Sequence, residues 1–255
     1  MTPMLAVYVG LLLARIGTFV AIMPPFAGRT PKPIRAAFCI VLTAFYLTSA
    51  APGWDTAFAK NALDPNPFLY GLALLRESLI GAAMGFAFAL FLMPARIAGE
   101  FVTVQIGLNI SPSQSPTSQE GGGPITVAFE TMGGLLFLVA DGHHLILLAL
   151  HTSFSKLPLG GSAIPDAGPM LAGLSSSYEL GLMIAGPLAL CLFLLAVTLA
   201  IMSRAAPQVN IYSVGFTLQV LIALVGTLFL LPEIARAISF SIGHAGDSIG
   251  GYWGK

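Results

Sequence analysis

Apolar residues gather along the chain into about six runs, at roughly 4–23, 34–50, 68–93, 125–150, 180–202 and 214–231. Each is close to the roughly 20 residues needed to cross a bilayer's hydrocarbon core. Backbone groups in an apolar medium have to be satisfied within their own segment, so the runs are expected to be α-helices. Stretches rich in proline and glycine separate them: "PPFAGRTPKP", "APGWDTAFAKNALDPNP", "SKLPLGGSAIPDAGPM" and "RAAPQVN". One interruption is of another kind. "NISPSQSPTSQEGGGP" (109–124) carries no large aliphatic or aromatic side chain after Ile110. Lipid would leave its backbone groups without partners, so it is read as a loop in water or in a protein-lined space. No fixed-period repeat and no soluble domain of any size is visible. The expectation is an all-α fold of membrane-associated helical hairpins.

Composition supports this. The chain is 56% hydrophobic and 9% charged, with a mean hydropathy of +0.87, whereas a soluble domain is about 25% charged. Water over the whole surface would leave apolar patches that soluble monomers rarely tolerate, so lipid or partner subunits must cover much of it. Eleven basic residues balance eleven acidic ones, which excludes a field for nucleic acid and a polybasic lipid patch. Cys39 and Cys191 lie inside apolar runs and read as small hydrophobes, not as a disulfide or metal ligands. "MTPMLAVYVGLLLARIGTFVAIMPP" lacks a basic leader and has Arg15 within its apolar stretch, so it reads as a retained first helix. Arg29, Lys32 and Arg35 cluster in the first connection, but the later loops are balanced and no orientation follows.

Ionisable residues then stand out by position: Arg15, Arg76, Glu77, Glu100, Glu130, Asp141 and Arg204 lie within or at the edges of apolar runs. A charge facing lipid costs about 2.5–3.5 kcal/mol on insertion scales. Pairing between helices or subunits is the favoured reading, ahead of an ion pathway. Arg96 and Glu100, four apart, are expected to pair along one helix face. Arg76 and Glu77 are adjacent, are expected to point apart, and so would seek partners elsewhere. "DGHH" (141–144) invites a metal, but adjacent helical histidines diverge by about 100°, and His151 has no supporting carboxylate nearby. These histidines therefore read as structural, at a helix start. Ser153 lacks a nucleophile-elbow context, and "GGG" at 121–123 lacks the residues of a phosphate loop. No catalytic residue, cofactor or metal is expected. "GAAMG" (81–85) has the small-xxx-small spacing of closely approaching helices.

The last third carries a more specific signal. "SRAAPQVNIYSVGF" (203–216) presents Arg204, Pro207, Gln208, Asn210, then Gly215 and Phe216 opening the final apolar run. Physically, Arg204 closes a helix at its negative end, and Pro207 with Gln208 and Asn210 breaks the chain into a tight hairpin. This run resembles the signature of the FliR family, the flagellar export-gate protein, whose injectisome counterpart is SctT. "AGE" (98–100), "QIGL" (105–108), "FLVADGHH" (137–144), "SFSKLPLG" (153–160) and "AGPL" (185–188) match along the chain in the same order.

The resemblance implies a single copy closing a ring with FliP- and FliQ-type subunits, in a helical export-gate assembly through which unfolded flagellar proteins pass. It implies contact with FlhB-type and FlhA-type export proteins, the flagellar basal body and membrane lipid, within the bacterial inner membrane. Residues 1–178 would correspond to a P-type part with a plug loop at 106–124, and 179–255 to a Q-type hairpin. The implied plug residues are Gly107, Asn109, Ser111, Pro112, Ser115, Gly121, Gly122 and Gly123. The implied assembly and pairing residues are Arg76, Arg96, Glu100, Glu130, Arg204, Pro207, Gln208 and Asn210. Many family members carry an acidic residue followed by proline in this loop; here the prolines stand at 112, 116 and 124 and Glu120 is the loop's charge. The alternatives are an injectisome gate subunit, a small-solute transporter using Arg15, Glu100 or Asp141, and an intramembrane enzyme using His143, His144 or Ser153. A transporter should show two related halves or matched broken helices, and the sequence shows neither.

Overall fold

A computed structural model of the chain describes residues 2–23, 30–48, 67–107, 123–161, 168–205 and 211–252. The described residues form seven helices: α1 (Thr2–Ile22), α2 (Lys32–Thr48), α3 (Pro67–Ile106), α4 (Pro124–Val139), α5 (Gly142–Lys156), α6 (Gly168–Ala205) and α7 (Ile211–Tyr252). The fold is all-α, as the apolar runs require. Among the described residues, four stretches are long and apolar enough to cross a membrane: Met4–Ile22, Pro67–Ile106, Leu171–Ala205 and Ser213–Arg236. The pair α4 and α5 would make a fifth if counted as one broken span. The molecule is thus a membrane-type helical protein.

Two expectations from the apolar pattern need correction. The run at 125–150 is not one helix, because α4 ends at Val139 and α5 begins at Gly142. The break is local chemistry: Asp141 adopts φ 59°, ψ 24°, a left-handed conformation that Asp tolerates better than most residues, and Gly142 follows. The Ala140 N–H closes α4 on the Leu136 carbonyl at 2.9 Å, and the His144 N–H opens α5 on the Asp141 carbonyl at 2.9 Å. The long helices also overrun their apolar runs. Within α3 the helix continues past Pro94, although proline supplies no N–H to the ladder.

The chain divides into two compact units. The first comprises Met1–Leu90, Asp141–Gly173 and Ile242–Lys255; the second comprises Phe91–Ala140 and Leu174–Ser241. In the first, Leu12, Ile16 and Phe19 are fully buried along one stripe of α1, with Met23 buried just past its end, the helical spacing of a core-facing side. Gly81 and Gly85 let α3 come up against α1. A Cβ on Gly81 would collide with the Arg15 carbonyl oxygen and the Thr18 hydroxyl. One on Gly85 would lie 2.9 Å from Ile22 Cβ and 3.0 Å from the Phe19 carbonyl oxygen. The small-xxx-small spacing therefore marks a real close contact, made inside this chain.

In the second unit, Gly181 of α6 is seated on Ile97 and the Pro94 carbonyl of α3. Leu199 packs on Gly215 and Leu188 on Gly226, so these parts of α6 and α7 run antiparallel. Its outer faces stay uncovered: Leu190, Phe193, Leu194, Leu224, Leu228 and Phe229 are all exposed.

Candidate functional site

The first unit encloses a charged cluster. Arg15 projects from α1 and Glu77 from α3, and both side chains are 0% exposed. Arg15 Nε donates to Glu77 Oε2 at 2.6 Å, and its Nη2 lies 2.5 Å from the same oxygen. Its Nη1 donates to Ser153 Oγ at 3.0 Å and to the Ser153 carbonyl at 3.2 Å, both on α5. The guanidinium carbon stands 4.8 Å from the Phe154 ring centroid, which adds a cation–π contact. The other carboxylate oxygen, Glu77 Oε1, accepts from Arg76 Nη1 at 2.7 Å and from the Gly160 N–H at 3.2 Å. Arg76 Nη1 also reaches the Pro158 carbonyl at 3.4 Å.

One carboxylate thus joins two guanidiniums and the turn after α5, while Arg15 ties the cluster to α5 itself. Removing such ions from water costs several kcal/mol each, offset only when every donor and acceptor is engaged. Here charge-assisted bonds take up both carboxylate oxygens and the Nε and Nη1 of Arg15, while its Nη2 meets Glu77 as an ion-pair contact without a hydrogen bond. The expectation that Arg76 and Glu77 point apart is corrected by this geometry. Glu77 does turn inward to α1, but the Arg76 stem is long enough to curl back onto its free oxygen. Ser153, weighed as a nucleophile, accepts a hydrogen bond from a buried arginine.

The second unit holds the root of the central loop. Thr103 Oγ1 donates to the Gly99 carbonyl at 2.7 Å and lies 3.0 Å from Thr126 Oγ1. Thr103 has one proton and spends it on Gly99, so Thr126 is the donor between the two hydroxyls. A Cβ on Gly99 would come within 2.7 Å of Thr126 Cα. The end of α3 and the start of α4 are therefore side by side. Gly107 leaves α3 at φ +76°, where an L side chain would be strained. Gly123 is the N-cap of α4, with Pro124 inside its first turn.

Nearby, Arg96 Nε pairs with Glu100 at 2.9 Å, the expected i,i+4 contact, and also with Glu130 of α4 at 3.4 Å. The end of α3 at Gly107 and the start of α4 at Gly123 are thus clasped together. Asn109, Ser111, Pro112, Ser115, Gly121 and Gly122 lie outside the described residues, as do Pro207, Gln208 and Asn210. Arg204 stands exposed in the last turn of α6, where a cation opposes the helix's negative end.

The threonine clasp makes a measurable prediction. Thr103→Val leaves the buried Thr126 hydroxyl without its acceptor and should cost about 1–3 kcal/mol. Thr126→Val leaves Thr103 bonded to Gly99 and should cost only about 0.5–1.5 kcal/mol. The double variant should lose less than the sum, because the two residues share one bond. Thermal melts of the detergent-solubilised variants provide the cycle; strict additivity would show that the hydroxyls are not coupled.

The bend between α4 and α5 departs from the sequence reading in a further respect. The rings of His143 and His144 do not diverge: their centroids are 4.2 Å apart with planes tilted by 37°. The 100° rule holds for Cβ directions, and on a first helical turn next to a left-handed residue the exposed imidazoles fold back towards each other.

The sequence profile of a family described as bacterial export proteins, family 1, matches residues 6–245. The flagellar biosynthetic protein FliR of Escherichia coli (strain K12) is 28% identical over 232 residues, 88% of this chain and 84% of that protein. FliR of Caulobacter vibrioides is 30% identical over 227 residues, 86% of each. The chain belongs to the FliR family. FliR of Aquifex aeolicus is 34% identical over 171 residues, 65% of this chain and 64% of that protein.

Within this FliR-family fold, the quoted fragments fall on the polar constellations just described. "SFSKLPLG" supplies Ser153, Phe154, Pro158 and Gly160 to the charged cluster, "AGE" and 105–107 of "QIGL" lie on the α3 end beside α4, and "FLVADGHH" is the bend. Arg15 and Glu77 stood out in the sequence as buried charges but were not paired there. Their opposite signs, each within an apolar helix, were the available signal.

Proposed function

We propose that the chain is a structural subunit of the bacterial flagellar protein-export gate, residing in the inner membrane and assembling with FliP- and FliQ-type subunits. Membership of the FliR family over nearly the whole chain carries this reading. The uncovered apolar faces of α6 and α7 support it, since faces of this kind require lipid or partner helices. The work of such a subunit is packing and gating, with unfolded flagellar proteins as passengers and FlhA- and FlhB-type proteins as neighbours. Co-expression with P- and Q-type subunits tests it: a tag on any one should recover the other two in a stable complex. A chain that purifies only as a monomer beside them would overturn the proposal.

The central loop is proposed as the gate's plug. Its composition lacks bulky side chains, glycines flank it, and both its ends are fastened at one place, so it can act as a unit on a fixed base. Deleting 111–122 is expected to leave complex yield unchanged and to raise ion leakage through the closed complex in the membrane. Unchanged conductance with normal assembly would remove the plug role while leaving the structural assignment in place.

A further inference from the structure

The geometry points to a divalent transition-metal site formed by Asp141, His143 and His144 at the bend between α4 and α5. One donor atom from each lies within 4.8 Å of the other two. Asp141 Oδ1 is 3.6 Å from His144 Nδ1 and 4.0 Å from His143 Nε2. These separations are too long for hydrogen bonds and stand at the outer range of an ion pair with an imidazolium. They are close to what a shared ion spans. With metal–ligand bonds of about 2.0–2.2 Å, tetrahedral donors stand about 3.3–3.6 Å apart. All three side chains are exposed, so they are free to turn towards a common ion.

The backbone adds an independent observation. Asp at a helix N-cap ordinarily spends its carboxylate on the N–H groups of the first turn. Asp141 is the N-cap of α5 and makes no such bond. Its left-handed conformation turns the carboxylate to the two imidazoles instead, while its carbonyl takes the His144 N–H. Two imidazole nitrogens and one carboxylate oxygen suit Zn²⁺, Ni²⁺, Co²⁺ or Cu²⁺ and not Mg²⁺ or Ca²⁺, which take oxygen ligands. Three protein ligands leave a fourth position open to water or to a donor from outside the chain.

The test uses the full chain in detergent with any affinity tag removed, titrated with Zn²⁺ against a chromophoric chelator. One ion per chain is expected, with Mg²⁺ failing to compete. His143→Gln/His144→Gln should weaken binding by at least about tenfold, as loss of ligands does, and His151→Gln should not. Asp141→Asn keeps the left-handed turn accessible and should also weaken binding about tenfold, reading the carboxylate separately. Co²⁺ in place of Zn²⁺ should give visible absorption that these variants lose. Absence of stoichiometric Zn²⁺ binding at micromolar free ion, or binding that survives the double histidine variant, overturns the site.

Discussion

Glu77→Ala is expected to destabilise the first unit by about 3–5 kcal/mol, the usual cost of leaving a buried charge without its partner. Here the cost is compounded, because the carboxylate neutralises Arg15 on one oxygen and Arg76 on the other. Its removal would strand a fully buried guanidinium and release the Gly160 N–H of the following turn. The readout is the melting temperature and monodispersity of the solubilised protein, and with them the yield of any complex it enters. Glu77→Gln keeps the shape and an acceptor oxygen but not the charge, so it should fall between alanine and the parent. Arg15→Met/Glu77→Leu removes the pair together and should recover much of the loss, since buried ion pairs replaced by apolar residues are often near neutral. If Glu77→Ala melts with the parent, the cluster is not what fastens α1, α3 and α5.

How much of this was legible beforehand varies with the kind of information involved. The helices were readable because apolar runs in a lipid-like setting have few alternatives to helix. Their ends were not. The 168–179 stretch "GPMLAGLSSSYE" is too polar to join the run after it, yet α6 begins at Gly168. Likewise α7 continues to Tyr252 through "EIARAISFSIGHAGDSIGGY". Hydropathy marks the portion facing lipid or partners, and helical hydrogen bonding carries on beyond it. Local pairings were also readable: Arg96 with Glu100 depends only on the helical repeat. Arg15 with Glu77 spans 62 positions in sequence and depends on where two helices touch, which single-residue chemistry does not specify. The converging histidines depend on one left-handed residue, Asp141, that a helical-wheel argument presumes absent.

The contact that brings Arg15 to Glu77 is set by glycine, and this makes Gly81 the second sensitive position. Gly81→Ala is expected to cost about 1–3 kcal/mol, the range for overpacking a tight contact, and Gly81→Leu more. The new Cβ meets the Arg15 carbonyl oxygen, a backbone atom, which cannot swing aside as a side-chain tip would. The Thr18 hydroxyl is also in the way, and it is held in place by its bond to the Ala14 carbonyl at 2.8 Å. Helix α1 must therefore withdraw, and the residue pushed is the one whose side chain holds Glu77. Gly71→Ala is the control on the same helix. Nothing lies within 4 Å of its Cβ position, so it should stabilise by about 0.5–1 kcal/mol through helix propensity alone. Opposite shifts in melting temperature for the two alanines would locate the helix contact at Gly81. Combining Gly81→Ala with Glu77→Ala should cost less than the sum, because the first already loosens the bonds the second removes. If both alanines raise the melting temperature alike, α1 is not seated on Gly81 and the route by which Arg15 reaches Glu77 fails with it.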